Sequence, residues 1–206
     1  VHKVKAQIRW SEETKDLVWA EIIRDKISKQ AEFLDELNLS RESRLLRNYS
    51  EDIAEGDITN REGHAAKVYF NALFGMNFTR TADCNINAAL NYGYSIILSA
   101  FTREITANGY LTQLGIFHDN MFNQFNLASD FMEPFRVLID WKVKQMNLEE
   151  FDHDEKLQLV DVLNQEVQID GRKQYVNNAI KIYCRSVLDA LNEDDSSLIQ
   201  VYEIEL

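Results

Sequence analysis

Four side chains in three well-separated stretches carry groups that a simple apolar core would not select. Glu62 lies in Asn60-Arg61-Glu62-Gly63-His64, His118 closes Gln113-Leu114-Gly115-Ile116-Phe117-His118, and Asp130 and Glu133 share Ser129-Asp130-Phe131-Met132-Glu133-Pro134-Phe135-Arg136. Together they would make an oxygen and nitrogen donor set. Carboxylates suit Mg2+ or Mn2+, and an imidazole tilts the choice towards Mn2+. Asp130 and Glu133 stand three apart, so both carboxylates can share one helix face, where they repel unless a cation sits between them. Each residue also has an ordinary explanation. Thr59-Asn60-Arg61-Glu62 matches the capping box, in which Glu62 would bond back to the start of its helix. His118 can be a buried, hydrogen-bonded histidine, and Glu133 can pair with Arg136. At the level of spacing both readings stand. His64 follows Glu62 by two and points to a different face. Other chemistries lack their residues: there is no HExxH or paired Cys/His spacing for zinc, and no P-loop, GxGxxG or GxSxG. Cys84 and Cys184 are far apart and read as isolated thiols of a reducing compartment.

The elements that must position these groups are mostly helical. Leu17, Val18, Ile22, Ile23, Ile27 and Leu34 recur near helical spacing over 12–37, with Ser11 as the start. Residues 38–61 read as short helical pieces and a loop. A second long helix is expected from Thr59 or Asn60 to Gly75, with Ala65, Val68, Tyr69, Ala72 and Leu73 on its apolar face. A third covers 84–108, from an Asp83 cap to a Gly109 stop. Further helices are expected over 110–117, 129–146, part of 147–170 and 173–191. Pro134 is comfortable only in a first turn or at a kink. Val167 and Ile169 alternate with polar residues up to Asp170-Gly171, a hairpin-turn dipeptide. The tail from Ser197 to Leu206 alternates too, as a strand added to something or a docking peptide. The expectation is an all-α, mainly helical single domain over residues 1–206, with a small β-hairpin near 166–174.

Composition agrees. The 206 residues contain 7 glycines and one proline, which disfavours a turn-rich all-β fold. The hydrophobic share of 45% excludes disorder throughout. No stretch approaches the ~20 apolar residues of a membrane span, and Val1-His2-Lys3-Val4 is no signal peptide. The net charge of -12 argues against an ordinary nucleic-acid binder.

The motifs point the other way. Asn60-Arg61-Glu62-Gly63-His64-Ala65-Ala66-Lys67-Val68-Tyr69-Phe70 resembles the first signature of the CRISPR-associated integrase and endonuclease family, the catalytic subunit of spacer acquisition. Asn87-Ala88-Ala89-Leu90-Asn91-Tyr92-Gly93-Tyr94 resembles the next block, Gly115 to His118 the third, and Asn126 to Arg136 the fourth. Four blocks in order across most of the chain make the resemblance specific, and Asn123-Gln124-Phe125-Asn126 is most like the type II-A branch. The resemblance implies that Glu62, His118 and Glu133 are catalytic metal ligands for Mg2+ or Mn2+, with Asp130 a ligand or an auxiliary acid. Many relatives carry Asp where this chain has Glu133, and His64 matches no required position. It also implies that the family's N-terminal β-rich dimerisation domain is absent from this chain, which begins without Met where the helical domain would begin.

The implied chemistry is metal-assisted phosphoryl transfer. The 3′-hydroxyl of a short DNA duplex, the prespacer, attacks a phosphodiester at the repeat border of the CRISPR array. The implied partners are double-stranded DNA, a smaller nuclease-like protein of the adaptation complex, and a second copy through the missing domain, in a bacterial cytoplasm without a membrane. A fragment lacking that domain can be inactive even with a correct site. Arg41, Arg44, Arg47, Arg61, Lys67, Arg80, Arg103 and Arg136 are candidates to face phosphates, or else solvated and ion-paired charges. The apolar tail is a candidate to dock the smaller protein, or else packs on its own domain. The competing reading is a non-catalytic acidic helical scaffold that binds proteins, in which Glu62 is only a cap.

Overall fold

The computed structural model describes residues 2–204. Helix α1 (His2–Gln7) leads into α2 (Glu12–Glu36), the axis of the molecule. Ser11 starts α2 in extended backbone and accepts the Thr14 amide at 3.1 Å, with Glu12 and Glu13 in the first turn. Val18, Trp19, Ile22, Ile23, Ile27, Ala31 and Leu34 bury the apolar stripe. Lys26, Lys29 and Gln30 interrupt that stripe and are buried with it. Helix α3 (Ser40–Glu51) and α4 (Arg61–Phe74) pack on one side of α2. The segment read as broken pieces is thus mostly one helix, followed by a 3-10 turn at Glu55–Asp57.

Helix α5 (Asn85–Ala107) is the second long element, contacting α6 (Asn126–Phe131), α7 (Arg136–Gln145), α8 (His153–Val160) and α9 (Val176–Glu193). Gly93 lets α5 approach α7 closely, because a Cβ there would collide with the Ile139 side chain. Helices α6 and α7 were expected as one. Pro134 lacks an N–H and its ring crowds the preceding turn, so a 3-10 turn at Glu133–Phe135 divides them and buries Glu133.

The hairpin is β1 (Glu166–Ile169) and β2 (Arg172–Tyr175), joined by Asp170 and Gly171 at φ 53° and 67°, the two positive values that a type I′ turn requires. The tail adds β3 (Tyr202–Glu203) to the other edge of β1, giving the order β2-β1-β3. The Tyr202 hydroxyl donates to the Pro134 carbonyl at 2.7 Å, and its ring lies against Phe135. The described tail thus packs on its own domain, while Glu205 and Leu206 lie outside the described residues.

The helix expected over 110–117 is absent, and so is Asp83 as a cap, since Cys84 holds that position without a side-chain bond. The backbone of 110–125 is satisfied by side chains instead. The Gln7 amide donates to the carbonyls of Leu111 and Leu114 and accepts the Leu111 N–H, all within 3.1 Å. Asn126 donates to Gln113 and Asn120. These bonds replace the helical ladder and leave the segment an ordered loop.

Candidate metal centre

Glu62 sits in the first turn of α4 but does not cap it. Asn60, in the left-handed region at φ 52°, accepts the Gly63 amide at 3.2 Å. Asp57 accepts the amides of Arg61 and Glu62 at 2.8 and 3.0 Å. With the helix start satisfied by these two residues, the Glu62 carboxylate turns inward and accepts from the Lys26 ammonium at 2.6 Å. The capping role on which the scaffold reading leaned is filled by others.

Glu133 reaches the same ammonium from the 3-10 turn. Its Oε2 accepts from Lys26 Nζ at 2.5 Å, and its Oε1 from Arg136 Nε at 2.9 Å. The side chains of Glu133 and Lys26 are only 4% and 10% exposed, so little solvent screens the pair. Burial alone would push the Glu133 carboxyl up, but Arg136 and Lys26 outweigh it and hold that carboxyl below its ordinary range. Lys26 is the mirror image: burial favours the neutral amine, and Glu133 and Glu62 together raise it above the ordinary lysine value. The structure therefore brings two of the expected ligand carboxylates onto one cation, contributed by α2.

His118 is held from the other direction. Its Nδ1–H donates to Asp130 Oδ1 at 2.6 Å, which leaves Nε2 as the nitrogen free to bind. Asp130 is fully buried and also accepts the amides of Ile116, Phe117 and His118 at 2.7 to 3.1 Å. Four donors occupy the acceptor directions of its two oxygens, so Asp130 positions the imidazole and its loop rather than offering itself to a metal. Gly115 is required beneath this arrangement, because a Cβ would strike the His118 carbonyl and crowd the Asp130 carboxylate. Phe117 stacks on Trp19 at 4.2 Å, and the His118 ring stands edge-on to the same indole. The hydrogen bond to Asp130 raises the His118 titration above its ordinary value against the opposing effect of burial, and Glu133 and Glu62 reinforce it.

Among the described residues, no three His, Cys, Asp or Glu side chains are grouped to hold a metal ion. The two carboxylates, which already share one cation, have donor chemistry that fits a hard metal ion, whereas His118 lines a different cavity from Glu62 and Glu133. The obstacle is that the shared position is filled by an ammonium.

Behind the carboxylates lies a buried wall absent from the sequence reading. Asp140 accepts from the hydroxyls of Tyr69, at 3.0 Å, and Tyr94. Arg136 stacks over Tyr94 at 4.6 Å, so Glu133, Arg136, Tyr94 and Asp140 form one connected network. Burial pushes Asp140 up to about 6, with the two tyrosine hydrogen bonds opposing it. Of the basic residues proposed to face phosphates, Arg136 is committed to Glu133. Arg47 pairs with Asp35 and Arg61 with Asp52, both at 2.6 Å, and Arg103 donates to Asn177. Arg80 bonds Asn87 and Asn91 and faces the cavity beside the carboxylates. Lys26 and Gln30 were legible only as polar residues breaking the apolar stripe of α2.

A family model described as CRISPR associated protein Cas1 matches residues 1–178. The CRISPR-associated endonuclease Cas1 of Neisseria meningitidis serogroup C (strain 8013) is 44% identical over 140 residues, covering 68% of this chain and 46% of that protein. A CRISPR-associated endonuclease Cas1 1 of Francisella tularensis subsp. novicida (strain U112) is 25% identical over 189 residues, covering 81% of this chain and 59% of that one. The chain thus spans about half the length of the curated relatives it matches. Among solved structures, a casposase bound to integration product aligns with a TM-score of 0.76 at 20% identity, covering 95% of this chain and 71% of that one. A partial Cas6-RT-Cas1–Cas2 complex aligns with a TM-score of 0.79 at 19% identity, covering 98% and 73%. At these identities the structural likeness is one of fold.

Proposed function

The chain belongs to the Cas1 family of CRISPR-associated proteins, and from that membership we propose that it is the helical catalytic domain of a divalent-metal-dependent DNA integrase and endonuclease. The observation that carries this reading is the convergence of Glu62 and Glu133 on one cation, with the imidazole of His118 oriented by Asp130. Glu62, Glu133 and His118 Nε2 would hold Mg2+ or Mn2+. When bound, the metal would supply Lewis-acid polarisation of the phosphate and lower the pKa of the attacking hydroxyl.

This chain's own residues set the stage for that group. Asp130 keeps the proton of His118 on Nδ1, so that the neutral ring offers Nε2 outward. Arg136 fixes one oxygen of Glu133 and thereby aims the other. In the reaction, a 3′-hydroxyl of a prespacer gives up its proton as its oxygen bonds to phosphorus. The bond to the displaced strand breaks, and the leaving oxygen is protonated. This scheme needs no covalent protein intermediate, and so no activated serine or cysteine.

The partners in this reading are the prespacer and CRISPR repeat duplexes, the smaller protein of the adaptation complex, and a second copy of the subunit. The fold neighbours support the first two, since one is a casposase bound to integration product and another a partial Cas6-RT-Cas1–Cas2 complex. The type II-A branch rests on Asn123 to Asn126, and the setting would be the bacterial cytoplasm. Among the described residues no helix is long and apolar enough to cross a membrane. The test is half-site integration of a labelled duplex in the assembled complex with Mn2+ or Mg2+. Glu62→Ala, His118→Ala and Glu133→Ala are each expected to abolish strand transfer while the fold survives. Full activity in all three would overturn the proposal.

A further inference from the structure

Lys26 stands where the proposed metal would have to go. Its ammonium is 2.6 Å from Glu62 and 2.5 Å from Glu133, two carboxylates delivered by α4 and by the Glu133–Phe135 turn. Without a cation between them these carboxylates would repel. With the ammonium in place they are held facing each other, a short reach from the spacing a divalent ion requires. An ammonium and a divalent cation compete for those oxygens, because the two positive charges would lie within a few ångströms of each other in a poorly screened interior. Metal entry is therefore favoured by the departure of Lys26, and a buried ammonium needs a partner wherever it goes.

That partner is present. Gln30 lies four residues further along α2, on the same face as Lys26. It is 2% exposed, and its Oε1 has no hydrogen-bond partner. Both side chains line one cavity of about 190 Å³ with Glu62, Glu133 and Arg136. The cavity gives the lysine arm room to swing, and the orphaned carbonyl oxygen gives the ammonium somewhere to bond. We propose that Lys26 is a resident cation that presets Glu62 and Glu133 and yields its place to the divalent metal by moving one helical turn along α2 onto Gln30. The inference rests on the metal reading of Glu62 and Glu133. It makes Lys26 a positioning residue and Gln30 its alternative seat.

The test is Mn2+ binding to the full chain without DNA, read from the electron paramagnetic resonance signal of free Mn2+. Lys26→Met keeps the length of the arm and removes the competing charge, so it should bind Mn2+ about tenfold or more tightly than the wild type. Lys26→Arg retains the charge and should show no gain. Gln30→Leu should bind several-fold more weakly than the wild type, yet have no effect in a Lys26→Met background. It replaces an unpartnered buried group by an apolar one of similar size, so its fold should hold, and it decides the matter even if Lys26→Met melts too early to assay. Two results would overturn the inference: a wild type that binds Mn2+ as tightly as Lys26→Met, or a Gln30→Leu variant that leaves wild-type binding unchanged or weakens it equally in both backgrounds. If neither wild type nor Lys26→Met takes up Mn2+, the metal reading itself falls, and this inference with it.

Discussion

Single side chains in this molecule are set by partners on other elements, and their titrations carry the consequences. The hydrogen bond that His118 donates to Asp130 favours the charged form of the imidazole, so it should titrate above the ordinary value of about 6.5. Metal binding needs the neutral ring, so strand transfer should be lost as pH falls through that raised titration. The stability contributed by the pair runs the other way: it is fully present below the ordinary histidine pKa and lost as pH rises through the raised one. An NMR titration of the metal-free chain checks this, and a His118 midpoint at or below about 6.5 would contradict it. Asp140 has the same sign. Its carboxyl is raised from 3.8 to about 6, so its contribution is greatest below the ordinary carboxylate range and fades as pH rises through about 6. Relative to Asp140→Asn, the wild type should gain on the order of 1–3 kcal/mol as pH falls from neutral to about 4. Urea unfolding of both proteins at several pH values measures the difference.

At the scale of the element, helices were legible wherever their reasons were local. The apolar period of α2 and α5, the Ser11 cap, the Gly75 stop of α4 and the Asp170-Gly171 turn each lie within a few residues of what they determine. The loop over 110–125 was not legible, because Gln7 and Asp130 satisfy its backbone from other parts of the chain. The start of α4 misled for the same kind of reason. Thr59-x-x-Glu62 fits a capping box, but Asp57 and Asn60 reach the free amides first. Two substitutions separate these roles. Asn60→Ala should cost a cap, roughly 0.5–2 kcal/mol in thermal or urea unfolding, and should spare Mn2+ binding. Gly115→Ala should cost about 1–3 kcal/mol through overpacking and should also disturb the amide resonances of Ile116, Phe117 and His118. Unchanged resonances would mean that the loop does not depend on the missing Cβ.

For the whole molecule, the proposed function does not require the net charge of -12 to be positive, because charge is an average and a DNA path needs only a local basic stripe. Several of its arginines are already committed, Arg47 to Asp35, Arg61 to Asp52 and Arg136 to Glu133. The chain alone should therefore bind duplex DNA weakly, and the binding should collapse between about 50 and about 200 mM salt. Fluorescence anisotropy with a labelled duplex reads this directly, and tight, salt-resistant binding would contradict it. The proposed ligands Glu62, His118 and Glu133 came from resemblance alone, whereas the network around the two glutamates had no sequence signal, since Lys26, Gln30, Tyr94 and Asp140 meet it only when distant elements pack together. The bond from Tyr202 to the Pro134 carbonyl carries this dependence into time. The ribosome makes the Glu133–Phe135 turn 68 residues before the side chain that buttresses it. A nascent chain thus carries this turn unbraced while the following 68 residues are made. Stalled nascent chains of increasing length should show protease protection of that turn only once residue 202 has cleared the exit tunnel.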